Sequence, residues 1–348
     1  MLDENLKLET EKLTRSWLRH DSVWLNDYLV AGVEDPRWNL QSIFSRHFLV
    51  YALAGKRFEP LMEQEYRFAA ALNWFQDLAR EVADQEELPA ILHALQQGAD
   101  NAEGRDIPRW VLKLFKSLPA EACGAPVPNY FEALLSGSRF EEGKVRPPVD
   151  SLNLFAGLWR DALRQNAVPE PVPKRLRVLE PACGSANDYR FLEAYGLAAL
   201  IDYTGFDLCE SNVRNARARF PAARFEVGNV FEIPAADGAC EVCFVHDLLE
   251  HLSPAGLEKA VSELCRVARR GLCVNFFQMH DRAEHVIRSV EEYHWNTLSL
   301  DRMREMFLAQ GFASQVFHIG QFLREKVGAE ATHNENACTF LLQPRRTA

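Results

Sequence analysis

The sequence predicts an α/β protein, with a mostly parallel sheet in its C-terminal half and an all-α domain before it. Beyond Leu176, short apolar segments alternate with amphipathic segments of helical length. Strands that alternate with helices in this way form a parallel sheet covered on both faces. Before about residue 150, apolar residues instead recur three and four positions apart, which is the helical period. Residues 136–151 are rich in glycine, proline and charge and predict a linker, so we divide the chain into residues 1–150 and 151–348.

The N-terminal half contains four amphipathic segments: WLRHDSVWLNDYLVAG, EQEYRFAAALNWFQDLAREV, ELPAILHALQQGAD and IPRWVLKLFKSL. We assign the aromatic residues at helical spacing to the core of this domain; they are Trp17, Trp24, Tyr28, Trp38, Phe44, Trp74 and Phe75. Arg46 and His47 interrupt an apolar run, and we assign both to the surface. We expect this half to cap the C-terminal domain, to contribute to an acceptor site or to form a homodimer.

The C-terminal half is predicted to contain the strands LRVLEP, LIDYTGFD, ARFEVGNV, CEVCFVHD, LCVNFFQM, ASQVFHI and ACTFLLQ. The helices NDYRFLEAYGL, ESNVRNARARF, SPAGLEKAVSELCRVARR and SLDRMREMFLAQG separate them. Ser253 is the expected N-cap of the third helix, with Pro254 at its first position, because these residue types favour those positions. Gly311 is the expected end of the fourth helix.

Composition and charge argue against several classes of protein. The formal net charge of −10 disfavours a nucleic-acid backbone as the main partner, because proteins that bind it usually present a basic surface. The amino terminus, MLDENLKLETEKL, is too polar for a secretory signal, and no apolar run reaches the length of a membrane span. The cysteines are scattered through apolar segments, which indicates reduced thiols and a cytoplasmic protein.

The segment VLEPACGSAND, residues 178–188, indicates a ligand site at the end of the first strand. Such sheets bind ligands at the carboxyl ends of their strands, where the strand order reverses. The small residues around Gly184 let the backbone approach a ligand, and the next helix directs its free N–H groups to the same place. Asp207 ends the second strand, and its carboxylate can accept two hydrogen bonds from a ribose diol. The pattern therefore predicts an adenosine-containing ligand.

A dinucleotide site would require the spacing G-x-G-x-x-G, which this turn lacks. The turn instead resembles motif I of the class I S-adenosylmethionine-dependent methyltransferases, often written E-P-x-C-G-x-G. Further segments resemble later motifs of the same family, in the same order: YTGFDLCESNVRNAR, FEVGNVFEIP, CFVHDLLEHL, GLCVNFFQ and SLDRMREMFLAQGF. The resemblance covers about residues 175–343 and implies a Rossmann-like, doubly wound sheet of seven strands in the order 3-2-1-4-5-7-6, the last strand antiparallel.

The resemblance implies S-adenosylmethionine as the cofactor and a set of residues that contact it. These are Glu180, Ala182, Gly184, Asp207, Leu208, Asn229, Val230 and His246. Two features depart from the family pattern. Alanine replaces glycine at positions 182 and 186, which we expect to be accommodated by a negative φ and a slightly altered loop. Asn229 stands where the family often has aspartate, so it would accept from the adenine amino group without the help of a charge.

Methyl transfer requires a base only where the acceptor must lose a proton, and histidine suits that role at neutral pH. The candidates are His246, His251, His280 and His294, and for each one ordinary packing is the alternative. Tyr293 and Trp295 flank His294, where they could form the walls of an apolar acceptor site. Asp247 and Glu250 lie near histidines, but no further ligand spacing supports a metal, so we predict none. Cys240 and Cys243 lie in one strand on opposite faces, which also disfavours a metal.

The sequence therefore predicts a methyltransferase that acts on a small-molecule acceptor, with O-methylation ahead of N- or C-methylation. A nucleobase amino group or a glutamine amide is disfavoured as the acceptor, because no N-P-P-Y-like run follows the fourth strand. A second hypothesis is a binding or scaffolding protein that keeps the fold without transferase activity. A third, an NAD-dependent enzyme, is disfavoured by the missing glycine pattern.

Overall fold

The computed structural model describes residues 2–18, 39–82, 87–137, 139–141, 144–146, 149–166, 175–329 and 335–345. The described part of the chain before the sheet contains the helices α1 (Glu4–Leu18), α2 (Leu40–Ala54), α3 (Glu59–Glu81), α4 (Glu87–Gln97), α5 (Arg109–Lys116), α6 (Tyr130–Gly137) and α7 (Val149–Gln165), the last of which lies mainly beyond residue 150. A 3₁₀ turn, Gly55–Phe58, joins α2 to α3. None of the helices in the described ranges has both the length and the apolarity needed to cross a membrane.

Three small hairpins interrupt these helices, and the sequence did not predict them. They pair Asn101–Ala102 with Arg105–Asp106, Glu121–Ala122 with Ala125–Pro126, and Arg139–Glu141 with Lys144–Arg146. The first two turn through Glu103-Gly104 and Cys123-Gly124, and all four residues have positive φ, as type I′ turns require. Strands of two or three residues are too short to show alternation in a sequence, so only the turns could have revealed them.

The C-terminal half contains the predicted seven-stranded sheet. Its strands are β1 (Leu176–Pro181), β2 (Ile201–Asp207), β3 (Arg224–Val227), β4 (Cys240–His246), β5 (Ala268–Phe276), β6 (Phe312–His318) and β7 (Cys338–Pro344). The order across the sheet is β3-β2-β1-β4-β5-β7-β6, and β7 runs antiparallel to both of its neighbours. The strand order therefore reverses between β1 and β4, which places a crevice at their carboxyl ends.

The helices of this half are α8 (Asn187–Ala194), α9 (Glu210–Arg219), α10 (Pro254–Val267), α11 (Leu300–Ala309) and α12 (Ile319–Val327), with 3₁₀ turns at Ala198–Leu200 and Leu249–His251. Ser253 caps α10 by accepting from the Gly256 N–H at 3.0 Å, and Gly311 follows α11 with a φ of 82°. Both termini agree with the sequence prediction. Beside the sheet, short strands pair Met279–His280 with Leu298–Ser299, and Ser289–Val290 with Tyr293–His294.

Helix α2 packs directly on the sheet, so the two halves share one buried core. The Gln41 side-chain amide donates to the carbonyl of Phe276 at 2.9 Å, and the Ser45 hydroxyl accepts from the Asn275 amide at 2.9 Å. Phe44 and Phe75 are buried as expected and Trp74 is partly buried, whereas Trp24, Tyr28, Trp38 and the Trp17 side chain lie outside the described residues. The division at residues 150 and 151 stays a prediction.

Helix α1 packs on the C-terminal half. The buried Glu9 carboxylate accepts from the Ser253 N–H at 2.7 Å and from its hydroxyl at 2.5 Å. Leu6 is buried in the apolar cluster around β4, β5 and α10. Arg15 lies 3.5 Å from the Glu292 carboxylate, beside the Tyr293–His294 strand. These contacts hold α1 over the carboxyl edge of the sheet.

Candidate functional site

The loop after β1 keeps the backbone conformation of a glycine-rich turn although two of its positions are alanine. Ala182, Gly184 and Ala186 have φ values of 55°, 54° and 66°. The expectation of a negative φ at the alanines was therefore wrong. A left-handed conformation costs a residue with a Cβ about 1–2 kcal/mol, so the surrounding structure must hold the loop in this form. The loop therefore keeps the left-handed backbone of a glycine-rich motif, at the cost of strain at the two alanines.

Replacing Ala186 with glycine is therefore expected to stabilise the protein. Relief of the left-handed strain should outweigh the greater freedom of glycine in the unfolded chain and the loss of one buried methyl group, raising the free energy of unfolding by at most about 1 kcal/mol. Urea denaturation of the ligand-free protein measures this change. Ala218 provides the control, because Ala218→Gly lies on the exposed side of α9 and should cost up to about 1 kcal/mol. Destabilisation of Ala186→Gly to the same extent would contradict the strain argument.

Asp207, at the end of β2, holds this loop in place. Its carboxylate accepts from the N–H groups of Gly184 at 2.9 Å and Cys209 at 2.8 Å, and from the Asn212 amide at 3.2 Å. Burial raises the pKa of Asp207, while these hydrogen bonds favour its charged form. The carboxylate therefore ties the loop after β1 to the end of β2, the neighbouring strand, beside the crevice. Leu208, the next residue, is partly buried.

Glu180, at the end of β1, is a second buried carboxylate. It accepts from the Tyr203 hydroxyl at 2.5 Å. Burial raises the pKa of Glu180 well above its ordinary value, and the nearby carboxylate of Asp188 adds to the shift. A cation placed next to these acidic groups would be stabilised by them and would favour their ionised forms.

The chemistry of this edge fits the donor that the sequence motif implies. An added Cβ at Gly184 would meet no other atom within 4 Å, so the loop borders open space at its closest approach to a ligand. The carboxylates of Glu180, Asp188 and Asp207 lie around this loop. The donor carries a sulfonium and an amino group, whose positive charges are opposite in sign to those of ionised carboxylates. Helix α8 begins directly after the loop, which adds free backbone N–H donors.

Asn229, the residue expected at the adenine, follows β3. Its side-chain oxygen accepts from the Phe231 N–H at 2.9 Å, and its amide donates to the Thr10 hydroxyl at 2.9 Å. The oxygen keeps a second lone pair for a ligand amino group. Val230 is buried beside it. The contact with Thr10 brings α1 next to Asn229, which could not be predicted from the sequence.

His246, at the end of β4, belongs to a hydrogen-bonded network that reaches into the N-terminal half. Its Nδ1 lies 3.0 Å from the Asn275 amide nitrogen, which also donates to Ser45 of α2. The Asn275 oxygen accepts from the Thr339 hydroxyl at 2.6 Å. The His246 Nε2 lies 3.8 Å from the Asp188 carboxylate. His246 is thus held rigidly at the crevice, which suits a residue that contacts the donor.

His251 lies in a different environment, between aromatic side chains. Its ring centroid is 5.2 Å from that of Trp295 and 5.9 Å from that of Tyr293. Its Nδ1 lies 3.1 Å from the His294 carbonyl oxygen, an acceptor, so Nδ1 carries the proton. Burial lowers the pKa of His251, which keeps the ring neutral. Its Nε2 therefore carries the lone pair, and no residue in the described ranges forms a hydrogen bond with this atom.

The other two histidines lie differently. The His294 ring points to the Ser289 hydroxyl, with Nε2 at 3.3 Å, within its own hairpin. His280 is partly buried in the Met279–His280 strand. The structure therefore brings His251, Tyr293 and Trp295 together, and the backbone of His294 rather than its ring takes part. Trp295 is 45% exposed, and Phe277, 39% exposed, lies 6.5 Å from it between ring centroids.

Glu250 is buried next to His251 in the chain and is only partly satisfied. Its Oε1 accepts from the Phe277 N–H at 2.9 Å, and its Oε2 has no partner among the described residues. Burial raises the pKa of Glu250 to about 7. No group of three acidic, histidine or cysteine side chains in the described ranges is arranged to hold a metal ion.

A buried ionic cluster links the N-terminal helices to this site, and the sequence analysis missed it. Arg46 and His47 were assigned to the surface, but both are buried, because each bonds to the buried carboxylate of Glu65, at 2.9 Å and 2.7 Å. The Trp159 indole donates to the same carboxylate at 2.9 Å. Burial alone would raise the pKa of Glu65, but the ion pairs outweigh it and lower the pKa to about 2. The Arg46 guanidinium also stacks over the ring of Tyr195, just beyond α8, at 4.7 Å.

Comparison with known families agrees with this geometry. Residues 178–271 match the family model of a methyltransferase domain. This range begins in β1 and ends in β5, so it includes Glu180, the loop, Asp207, Asn229 and His246. The C-terminal half is thereby identified with the class I S-adenosylmethionine-dependent methyltransferases.

Two curated relatives match about a third of the chain or less than that. A malonyl-[acyl-carrier protein] O-methyltransferase of Pectobacterium atrosepticum is 26% identical over 127 residues, which are 36% of this chain and 48% of that protein. A probable S-adenosylmethionine-dependent methyltransferase of Mycolicibacterium smegmatis is 34% identical over 98 residues, or 27% of this chain and 34% of that protein. The chain thus spans half or less of the length of these curated relatives.

Among solved structures, 1,6-didemethyltoxoflavin-N1-methyltransferase of Burkholderia thailandensis, solved with S-adenosylhomocysteine, is similar over 54% of this chain and 77% of its own. The sequence identity is 15% and the TM-score is 0.37. A similarity of this degree supports no statement about ligands or acceptors.

Proposed function

We propose that this chain, whose C-terminal half is a class I S-adenosylmethionine-dependent methyltransferase domain, transfers a methyl group from S-adenosylmethionine to an oxygen of a small-molecule acceptor. The observation that carries the proposal is the loop of residues 182–186. It keeps three left-handed residues, two of them alanine, and is tied to the Asp207 carboxylate at the sheet's switch point. A protein without use for this loop would have little reason to retain its strain.

The donor would lie across the carboxyl ends of β1, β2, β3 and β4. Its proposed contacts are Glu180, Ala182, Gly184, Asp207, Leu208, Asn229, Val230 and His246. When bound, S-adenosylmethionine supplies an electrophilic methyl group together with its own leaving group. The remaining tasks of the protein are to orient the acceptor, to exclude water and, for a hydroxyl acceptor, to take up its proton.

The acceptor side is proposed to be the aromatic group of His251, Tyr293, Trp295 and Phe277. Exposed aromatic rings next to a cleft favour an apolar or planar molecule. The free Nε2 of a neutral His251 favours an acceptor that must lose a proton, which supports a hydroxyl over an already nucleophilic amine. His246, His280 and His294 remain weaker candidates for this role. His246 is held in the Asn275 network, the His294 ring meets Ser289 of its own hairpin, and His280 is partly buried in the Met279–His280 strand.

Three further features belong to the proposal. Helix α1, joined to Asn229 through Thr10, would help to cover the donor, and α2 would complete the core below it.

The eight cysteines are unpaired, which supports a reducing, cytoplasmic environment. A homodimer formed through the helical half is kept as part of the proposal, and sedimentation velocity of the purified chain tests it.

Calorimetric titration with S-adenosylmethionine and S-adenosylhomocysteine tests the donor assignment. We expect one molar equivalent of each to bind, whereas NAD should produce no heat, because the loop lacks a pyrophosphate-binding pattern. Incubation of fractionated cell extracts with methyl-labelled donor then reports the acceptor. Absence of donor binding would refute the proposal. Tight binding without any labelled product would favour the binding or scaffolding alternative.

A further inference from the structure

A second cavity lies between α2 and the sheet, at the end of the sheet opposite the donor site. Its volume is about 770 Å³, within the range of small-molecule sites. The residues that line it come from α2 and the turn after it and from β4, β5, β6 and β7. It is therefore enclosed by elements of both halves of the chain.

Strand register separates this cavity from the methyl-transfer edge. Val242 and Gly271 line the cavity and are paired with each other near the beginnings of β4 and β5. His246 and Asn275, the pair at the donor site, lie four residues further along the same strands. Four residues of strand span about 13 Å, so a ligand of one site does not occupy the other.

The lining has an apolar interior and a basic rim. Phe48, Val242, Phe317 and Leu341 provide the apolar surface. An added Cβ at Gly271 would approach the Phe48 ring to 2.8 Å, so this wall is tightly packed and the cavity extends toward β6 and β7. Such an interior suits the hydrocarbon part of a ligand.

The charges at the rim are not balanced. Arg269 and Arg270 are adjacent in β5 and point to opposite faces of the sheet. Arg269 pairs with Glu241, whereas Arg270 lines the cavity and has no acidic partner in the part of the chain that the structure describes. Lys56 is also at the rim, and its nearest carboxylate, Glu59 at 3.8 Å, already accepts from the Tyr51 hydroxyl at 2.8 Å.

We propose that this cavity binds a small amphipathic carboxylic acid, separately from the donor and the acceptor. The carboxylate would pair with the Arg270 guanidinium, and the hydrocarbon chain would lie against Phe48, Phe317 and Leu341. Two cations and one anion at the rim favour an anionic head group, since a guanidinium binds a carboxylate with charge-assisted hydrogen bonds. The volume of about 770 Å³ is that of a single small-molecule site.

Three ligands of equal chain length test the proposal: decanoate, 1-decanol and decylamine. Each is titrated into the full-length protein in the presence of saturating S-adenosylhomocysteine, so that the donor site is filled. We expect decanoate to bind at one site, 1-decanol to bind at least about tenfold more weakly, and decylamine not to bind. Equal affinity for decanoate and 1-decanol, or no binding of decanoate, would overturn the proposal.

Variants locate the site independently of the chain's activity. Arg270→Ala should weaken decanoate binding by about tenfold or more, whereas Arg269→Ala, one residue away on the other face, should leave it unchanged. Ala52→Trp, which fills the cavity from α2, should abolish binding without altering the charge. Unchanged decanoate affinity in both Arg270→Ala and Ala52→Trp would refute the assignment. So would a second copy covering the cavity, detected as a dimer that dissociates in Arg270→Ala.

Discussion

Replacing His251 with alanine is expected to reduce kcat by about 10²–10⁴-fold while leaving the affinity for S-adenosylhomocysteine unchanged. His251 is the histidine whose Nε2 is free beside the aromatic group, and its Nδ1 proton is fixed on the His294 carbonyl. If it takes the proton of a hydroxyl acceptor, its removal slows transfer without touching the donor. The measurement is steady-state transfer of labelled methyl to the acceptor found in the extract screen.

Two variants separate a base from a packing residue. His251→Gln keeps most of the volume and a hydrogen bond to the His294 carbonyl but cannot take a proton at neutral pH, so it should be nearly as slow as alanine. The His294 ring meets Ser289 within its own hairpin, so His294→Ala should keep most of the activity. Recovery of turnover in His251→Gln, or a larger loss in His294→Ala, would contradict the assignment.

Turnover is expected to fall at acidic pH. Burial lowers the pKa of His251 below its ordinary value of 6.5, so the ring is neutral and able to act at pH 7. Turnover should therefore hold down to the ordinary histidine pKa of 6.5 and fall only at lower pH, as the pH passes through the lowered pKa of His251 and the ring becomes protonated. The acidic limb should disappear in His251→Gln, whose residual rate would follow other groups.

Much of the C-terminal half could be predicted from the sequence because its signals are local. Apolar strands such as Leu176–Pro181, the Ser253-Pro254 helix start and the glycine after α11 each reflect short-range backbone preferences. The proposed donor-side residues were predicted in the same way, since each lies at the end of a strand or within three residues after it. Parallel strands bring their carboxyl ends to one edge, so residues distant in the chain were expected to meet there.

The N-terminal contribution could not be predicted, because it depends on tertiary packing between distant segments. Nothing near Glu9 or Thr10 indicates that α1 would bond to Ser253 and Asn229, more than two hundred residues away. Arg46 and His47 look like surface charges unless Glu65 is known to lie beside them. Buried charges are tolerated when they are paired, and sequence periodicity does not identify the pair.

The loop alanines show a different limit. A sequence motif with alanine in place of glycine is compatible with either a changed backbone or a strained one, and local preference favours the former. The structure has the strained backbone, because α8 begins at Asn187 and the Asp207 carboxylate accepts from the Gly184 N–H. The Asp207 carboxylate therefore anchors the loop in addition to its proposed contact with the donor, so a substitution there tests both.

Asp207→Ala is expected to weaken binding of S-adenosylmethionine by about 10- to 150-fold, the effect of losing hydrogen bonds to a charged group. The substitution removes the proposed acceptor of the ribose hydroxyls, and it leaves the N–H groups of Gly184 and Cys209 without their present partner. The ligand-free variant should therefore also have a lower melting temperature. Calorimetry with S-adenosylhomocysteine and thermal unfolding measure the two effects separately. Asp202→Ala, an exposed carboxylate on the same strand, is the control and should change neither.

A comparison of ligands separates the ribose contact from the support of the loop. Wild-type protein should bind 2′-deoxy-S-adenosylhomocysteine more weakly than S-adenosylhomocysteine, because one hydrogen bond to Asp207 is missing. In Asp207→Ala the two ligands should bind with equal affinity, since the partner of the 2′-hydroxyl is gone. If the variant still distinguishes them as the wild type does, Asp207 supports only the loop and another residue holds the ribose. Unchanged affinity for both ligands in Asp207→Ala would remove Asp207 from the donor site altogether.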